Sequence, residues 1–71
     1  MELKWFRYFV VSVDAGSLSR AAEALYTTQP NVSKIIKELE DSLGVSLLER
    51  GRRGVVMTEE GQQIYKYARQ M

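Results

Sequence analysis

The chain has 71 residues, of which 45% are apolar and 27% charged, so it can bury one small hydrophobic core but offers little room for a large catalytic cleft. Because cysteine and histidine are both absent, disulfides, Cys/His zinc sites and triads that need imidazole or thiolate are excluded. Ten basic and nine acidic side chains give a net charge of +1, so a nucleic-acid function must depend on where the charges lie. We expect no metal or cofactor, no membrane segment or signal peptide, and a cytoplasmic location.

Two helices are predicted in the first part of the chain. Apolar residues recur at steps of three and four through residues 2–15, which is typical of an amphipathic helix, and Gly16 ends it. The residues of this stripe are Leu3, Phe6, Val10 and Val13. Ser17 can cap a second helix over residues 17–25, in which Ala21 and Ala22 allow a neighbouring helix to approach closely.

A third helix is predicted over residues 29–43, after a polar break at residues 26–28. Thr28 is suited to cap it, and Pro30 lies in its first turn, where the missing proline N–H costs nothing. The apolar stripe of this helix consists of Val32, Ile36, Leu39 and Leu43. We expect the opposite face to be solvated.

The solvated face of the third helix changes character along its length. Its first half carries polar and basic positions, namely Gln29, Pro30, Ser33, Lys34 and Lys37. The acids Glu38, Glu40 and Asp41 all belong to its second half. This split, and the positive end of the helix dipole, suit a helix whose first turns enter the major groove of DNA. An ordinary solvated face explains any one of these residues alone, but the preceding helix and turn favour a helix-turn-helix.

A small β-hairpin is predicted over residues 47–57, where two short apolar runs flank the loop Gly51-Arg52-Arg53-Gly54. Arginines at a loop tip repel one another unless a partner supplies negative charge, and the wing of a winged helix meets DNA with such a loop. A solubilising turn is the alternative. Arg50, on the strand before the loop, favours the DNA interpretation.

A last helix is predicted from Thr58, which can cap it, with two acids in its first turn. Its apolar stripe includes Ile64, Tyr65, Ala68 and Met71. The chain stops within this helical pattern, so we expect it to be part of a longer protein, the alternative being a short protein with a frayed last turn. The predicted fold is therefore mostly α with a small β-hairpin: a winged helix-turn-helix over residues 1–57, followed by the start of a linker helix over residues 58–71.

Several segments, in order and without a gap, carry a family resemblance. They include Trp5-Phe6-Arg7-Tyr8-Phe9, Gly16-Ser17-Leu18-Ser19-Arg20-Ala21-Ala22, Thr28-Gln29-Pro30-Asn31-Val32-Ser33-Lys34 and Leu47-Leu48-Glu49-Arg50-Gly51-Arg52-Arg53. The combination resembles the N-terminal DNA-binding domain of the LysR-type transcriptional regulators. The resemblance implies a bacterial or archaeal transcription factor that binds double-stranded DNA and forms a homodimer through the linker helix. It also implies that a small-molecule effector binds a C-terminal domain that is absent from this chain.

The resemblance also assigns roles by position. It implies major-groove contacts for Gln29, Pro30, Ser33 and Lys34, a minor-groove contact for Arg53, and a position near phosphate for Arg50. We expect Arg52, at the tip of the same loop, to lie near phosphate as well. We include Thr28, Asn31 and Lys37 among the expected DNA-binding residues. The expected dimer interface consists of Ile64, Tyr65, Ala68 and Met71.

Two departures from the family pattern affect these roles. Lys34 stands where arginine is usual, which replaces a bidentate grip on a guanine edge with a more adaptable point charge. Ile35 replaces a common glutamine beside the apolar stripe, so we expect it to pack rather than to read DNA.

Two other function classes would require features that differ from those of this sequence. A protein–protein interaction module would show an apolar patch on the exposed face of the third helix, where this chain has polar and basic residues. An enzyme would need acid–base or nucleophilic groups that converge in one pocket, and the carboxylates here are scattered over helix ends.

Overall fold

The computed structural model describes residues 2–51 and 53–71, and this part of the chain contains four helices. They are α1 (Leu3–Ala15), α2 (Leu18–Ala24), α3 (Gln29–Leu43) and α4 (Glu59–Ala68). All four were predicted, and the first three end within one residue of the predicted bounds. The last ends at Ala68 instead of continuing to Met71, because hydrogen bonds that span three residues, such as Met71 N–H to the Ala68 carbonyl, tighten the final turn.

Three of the helices begin at the predicted side-chain caps. Ser17, Thr28 and Thr58 each accept a hydrogen bond from the backbone N–H three residues later, at 3.0, 3.3 and 2.9 Å. The helices α1 and α3 end at Gly16 and Gly44, both in the left-handed conformation that glycine adopts without strain. Local sequence signals therefore set most of the helix boundaries.

The hydrophobic core lies where α1, α2 and α3 pack against one another. Side chains with no exposed surface include Phe9, Ala21, Val32, Leu39 and Leu47. Ala21 and Ala22 are both buried, as expected for a close approach of helices. Ile35 is also buried, which confirms that it packs.

The predicted β-hairpin is reduced to one antiparallel bridge between Leu48 and Met57, and the described residues contain no longer strand. A hydrogen bond of 2.8 Å from Glu49 N–H to the Val56 carbonyl supports this bridge. Regular strands are prevented because Leu47 and Leu48 are both buried, whereas strand residues alternate between two faces. Their N–H groups, moreover, donate to a side chain of α3 rather than to a second strand.

The last helix packs against α1 of the same chain. The ring of Tyr65 meets Phe9 edge to face, with centroids 6.4 Å apart, and its hydroxyl donates to the carboxylate of Asp14. This hydrogen bond, with some desolvation, raises the pKa of the Tyr65 phenol above its usual value. Ala68 is buried. Part of the stripe predicted to form a dimer interface is therefore occupied within one chain.

No helix within residues 2–51 and 53–71 is long and apolar enough to cross a bilayer. The same residues contain no cluster of three or more side chains suited to hold a metal ion.

Candidate nucleic-acid interface

The first half of α3 presents its predicted DNA-facing side outward. Four of the residues concerned are exposed, namely Gln29, Pro30, Lys34 and Lys37, and Ser33 is half-buried. The opposite side is held in the core by residues such as Val32 and Ile36. Because the buried residues lock the helix about its axis, the polar and basic residues form one continuous outward surface.

Two of the expected DNA-binding residues also hold the turn before α3. The Thr28 hydroxyl caps the helix, and the side-chain amide of Asn31 donates to the hydroxyl of Thr27 at 3.0 Å. These bonds link Thr27 and Thr28 to Asn31, so Thr28 and Asn31 support the position of Gln29 and Pro30 between them. Their direct contact with DNA remains a prediction.

Charge along α3 favours an anion at its beginning. The first turn contains no acid, and its free N–H groups form the positive end of the helix dipole. Lys34 makes no ion pair with any described residue, so its ammonium is available to a phosphate or a base. Lys37 instead contacts Asp41, with 3.3 Å between Nζ and Oδ1, in an exposed pair that water screens.

Glu40 does not lie on the solvated acidic end of α3, and the prediction that placed it there was wrong. Its side chain is only 5% exposed. Oε2 accepts hydrogen bonds from the N–H groups of Leu47 and Leu48, at 2.7 and 3.2 Å, and Oε1 accepts one from the guanidinium of Arg50. The carboxylate therefore holds the start of residues 47–57, the predicted wing, against α3.

The burial of Glu40 had a signal in the sequence. It lies four residues after Ile36, and that spacing places both on the same side of a helix. The prediction grouped Glu40 with the exposed acids because of its charge and did not use its position on the helix. Arg50 is paired with this carboxylate but keeps more than half of its side-chain surface exposed, so its guanidinium has one partner within the chain and still faces solvent.

The tip of the predicted wing is partly described. Arg53 is exposed, and the two glycines that bracket this loop, Gly51 and Gly54, both have positive φ. A Cβ on Gly54 would lie 3.1 Å from the carbonyl oxygen of Gly16, so the loop passes close to the junction of α1 and α2. Arg52, which we expected to contact phosphate, lies outside the described residues.

Comparison with known proteins places this arrangement among bacterial regulators. The family model described as "Bacterial regulatory helix-turn-helix protein, lysR family" matches residues 3–62. The chain is 48% identical over 68 residues to the HTH-type transcriptional regulator BenM of Acinetobacter baylyi, which covers 96% of this chain and 22% of that protein. It is 45% identical over 69 residues to the nitrogen assimilation regulatory protein nac of Klebsiella aerogenes, a match that covers 97% of this chain and 23% of that protein. The chain thus spans about a quarter or less of the length of these relatives.

Solved structures of DNA complexes show the same fold. The DNA-binding domain of BenM bound to catB site 1 DNA superposes with a TM-score of 0.95 at 47% identity, covering 99% of this chain and 75% of that one. The DNA-binding domain of CbnR in complex with DNA gives a TM-score of 0.92 at 37% identity, covering 99% and 80%.

Proposed function

The chain belongs to the LysR family of bacterial helix-turn-helix regulators, and from this membership we propose that the first turns of α3 read base edges in the major groove of its operator. The chain is a DNA-binding domain and not an enzyme, as its relatives are transcriptional regulators. The observation that carries the proposal is the outward face of α3, which is polar and basic over its first half and backed by buried residues.

Each major-groove residue has a chemical role in this proposal. The side-chain amide of Gln29 can donate and accept in one plane, which matches N6 and N7 of adenine, and the ring of Pro30 can contact a thymine methyl. Ser33 supplies a hydroxyl that can donate or accept, and Lys34 supplies a point charge. The helix dipole adds attraction for phosphates beside the groove.

The wing supplies contacts outside the major groove. We assign the minor groove to Arg53, where a narrow A·T-rich flank concentrates negative potential. Arg50 and Arg52 are assigned to phosphates, and the bond from Arg50 to Glu40 holds that guanidinium at a defined place. Lys37 adds a weaker phosphate contact because Asp41 balances part of its charge.

Replacing Gln29 tests the base-reading proposal. The operator for this test is the duplex that the chain selects from a random library. Gln29→Ala is expected to weaken binding to this selected operator by about 1–3 kcal/mol and to change binding to random duplex DNA little, because only the operator offers the matching base edge. Fluorescence anisotropy on the selected and on an unselected duplex measures both affinities.

The exposed residue Gln62 on α4 provides the matched control, and Gln62→Ala is expected to bind both duplexes as the parent does. Equal losses on both duplexes for Gln29→Ala would contradict a base contact. An affinity of the parent that does not fall as salt rises would contradict DNA binding itself and favour a protein-only module.

Pairing of two chains is the second part of the proposal. One recognition helix reads only a few base pairs, so two domains on a two-fold operator supply the specificity that one lacks. We infer that α4 provides the contact. Tyr65 and Ala68, two residues of the expected interface, pack against α1. The accessible part of the surface therefore consists of half-buried Ile64 and exposed Met71, to which we add Tyr67, which was not among the residues expected from the sequence; Tyr67 and Met71 are both 71% exposed. We also propose that a small-molecule effector binds a separate domain of the whole regulator. The regulator is proposed to act in the cytoplasm.

A charge on the exposed part of α4 tests the dimer. Tyr67→Glu is expected to leave the helix content and melting temperature close to those of the parent, because the side chain is exposed. It should nevertheless weaken self-association and operator binding together, by about tenfold or less, since a carboxylate on an apolar contact must be desolvated. Analytical ultracentrifugation over a concentration series, with and without operator DNA, measures the association.

Gln62→Glu, on a different side of α4, adds the same charge and is expected to retain the parent's association. If the chain remains monomeric at every concentration and on operator DNA, the proposed dimer through α4 is wrong.

A further inference from the structure

The turn between α2 and α3 holds a tyrosine in a conformation that usually requires glycine. Tyr26 has φ of 56°, and it is the only residue other than glycine with positive φ in the described part of the chain. The α2 helix ends here with two hydrogen bonds of different spacing, from Tyr26 N–H to the Glu23 carbonyl three residues before it and from Thr27 N–H to the Ala22 carbonyl five residues before it. This pattern is a Schellman motif, whose left-handed position is most often glycine.

The same chain uses glycine where α1 and α3 end. Gly16 and Gly44 occupy left-handed positions with φ of 77° and 74°. A side chain in this conformation brings Cβ close to the following carbonyl oxygen, which is unfavourable for a large residue. Tyr26 therefore carries a conformational cost that the fold avoids at its other left-handed helix ends.

Packing does not compensate for this cost. The side chain of Tyr26 is 96% exposed, and its hydroxyl has no hydrogen-bond partner among the described residues. The turn itself is nonetheless held by a side-chain hydrogen bond, since the Thr27 hydroxyl accepts from the side chain of Asn31 in the first turn of α3. The phenol thus projects from this turn three residues before Gln29, without a structural role of its own.

We propose that Tyr26 contacts the DNA backbone, its hydroxyl donating a hydrogen bond to a phosphate at the edge of the groove that α3 enters. This inference rests on the proposed placement of α3 in the major groove. In a helix-turn-helix the second helix lies in the groove while the first crosses the backbone, so the turn between them lies beside phosphates. Tyrosine is among the side chains that donate to phosphate oxygens, and such contacts position a protein without reading sequence.

Removing only the hydroxyl tests the contact. Tyr26→Phe is expected to keep the melting temperature of the parent and to weaken binding by about three- to tenfold, equally on the selected operator and on random duplex DNA. Tyr26→Gly is expected to weaken binding at least as much, while raising the melting temperature by about 3 °C, because glycine relieves the left-handed strain and loses part of that gain to unfolded-state entropy. Fluorescence anisotropy and thermal unfolding measure the two effects.

Gln62→Ala serves as the control, since it truncates an exposed polar side chain on the side of α4 away from the proposed dimer contact and should bind DNA as the parent does. If the parent binds the operator and Tyr26→Phe binds as tightly, the phosphate contact is wrong and the exposed ring is left for a protein partner. If the parent binds no DNA at all, the proposed function fails instead, so the two failures are distinguishable.

Discussion

Gly61→Ala is expected to lower the free energy of unfolding by about 3–5 kcal/mol, which is most of the stability of a domain this small. A Cβ on Gly61 would lie 2.1 Å from the carbonyl oxygen of Leu47 and 3.0 Å from its carbonyl carbon. Both are backbone atoms, so no side-chain rotation can relieve the clash. The carbonyl is also held in place, because it accepts from Thr58 N–H at 2.9 Å and Leu47 is fully buried.

Helix propensity alone predicts the opposite sign for this substitution. Alanine stabilises an exposed helix interior by about 1 kcal/mol relative to glycine. The clash outweighs this gain because α4 must move away from Leu47, and the contacts of Ala68 and Tyr65 with α1 would loosen with it. The close approach of two backbones therefore decides the result.

Urea unfolding followed by circular dichroism measures the effect, with Gln63→Ala as the control. That exposed position on the same helix is expected to change stability by about 0.5 kcal/mol or less. A Gly61→Ala chain as stable as the parent would show that α4 does not pack as closely on Leu47 as the structure has it.

Glu40→Ala is expected to lower the free energy of unfolding by about 2–4 kcal/mol, because it leaves the buried N–H groups of Leu47 and Leu48 without an acceptor. Binding to operator DNA should weaken as well, since the same carboxylate holds the base of the wing against α3. Glu40→Gln is expected to cost less than Glu40→Ala because it keeps one acceptor oxygen, although its hydrogen bonds are no longer charge-assisted.

Two further variants separate the contributions to this contact. Arg50→Ala is expected to cost about 1 kcal/mol or less, because that end of the ion pair is exposed. Glu38→Ala, at an exposed position of the same helix, is expected to change stability little. Equal losses for Glu40→Ala and Glu38→Ala in urea unfolding would show that the buried hydrogen bonds of Glu40 do not hold the wing.

The sequence alone determined the helices and the family. Caps at Ser17, Thr28 and Thr58 and the apolar spacing of α1 and α3 are local signals, and local hydrogen bonds and burial set these elements. The polar and basic first half of α3 followed from the same spacing. The family was identified from segments spread over the whole chain, and the family model confirms it.

Only the tertiary structure decided how residues 47–57 fold, where α4 packs and which conformation Tyr26 adopts. The two short apolar runs that predicted the strands could not reveal the role of the Glu40 carboxylate, which lies on another element and accepts from N–H groups that a strand pair needs. The apolar stripe of α4 was visible in the sequence, but the presence of α1 decided that Ala68 packs within its own chain. These outcomes depend on contacts between residues far apart in the chain, which local propensity and periodicity do not contain.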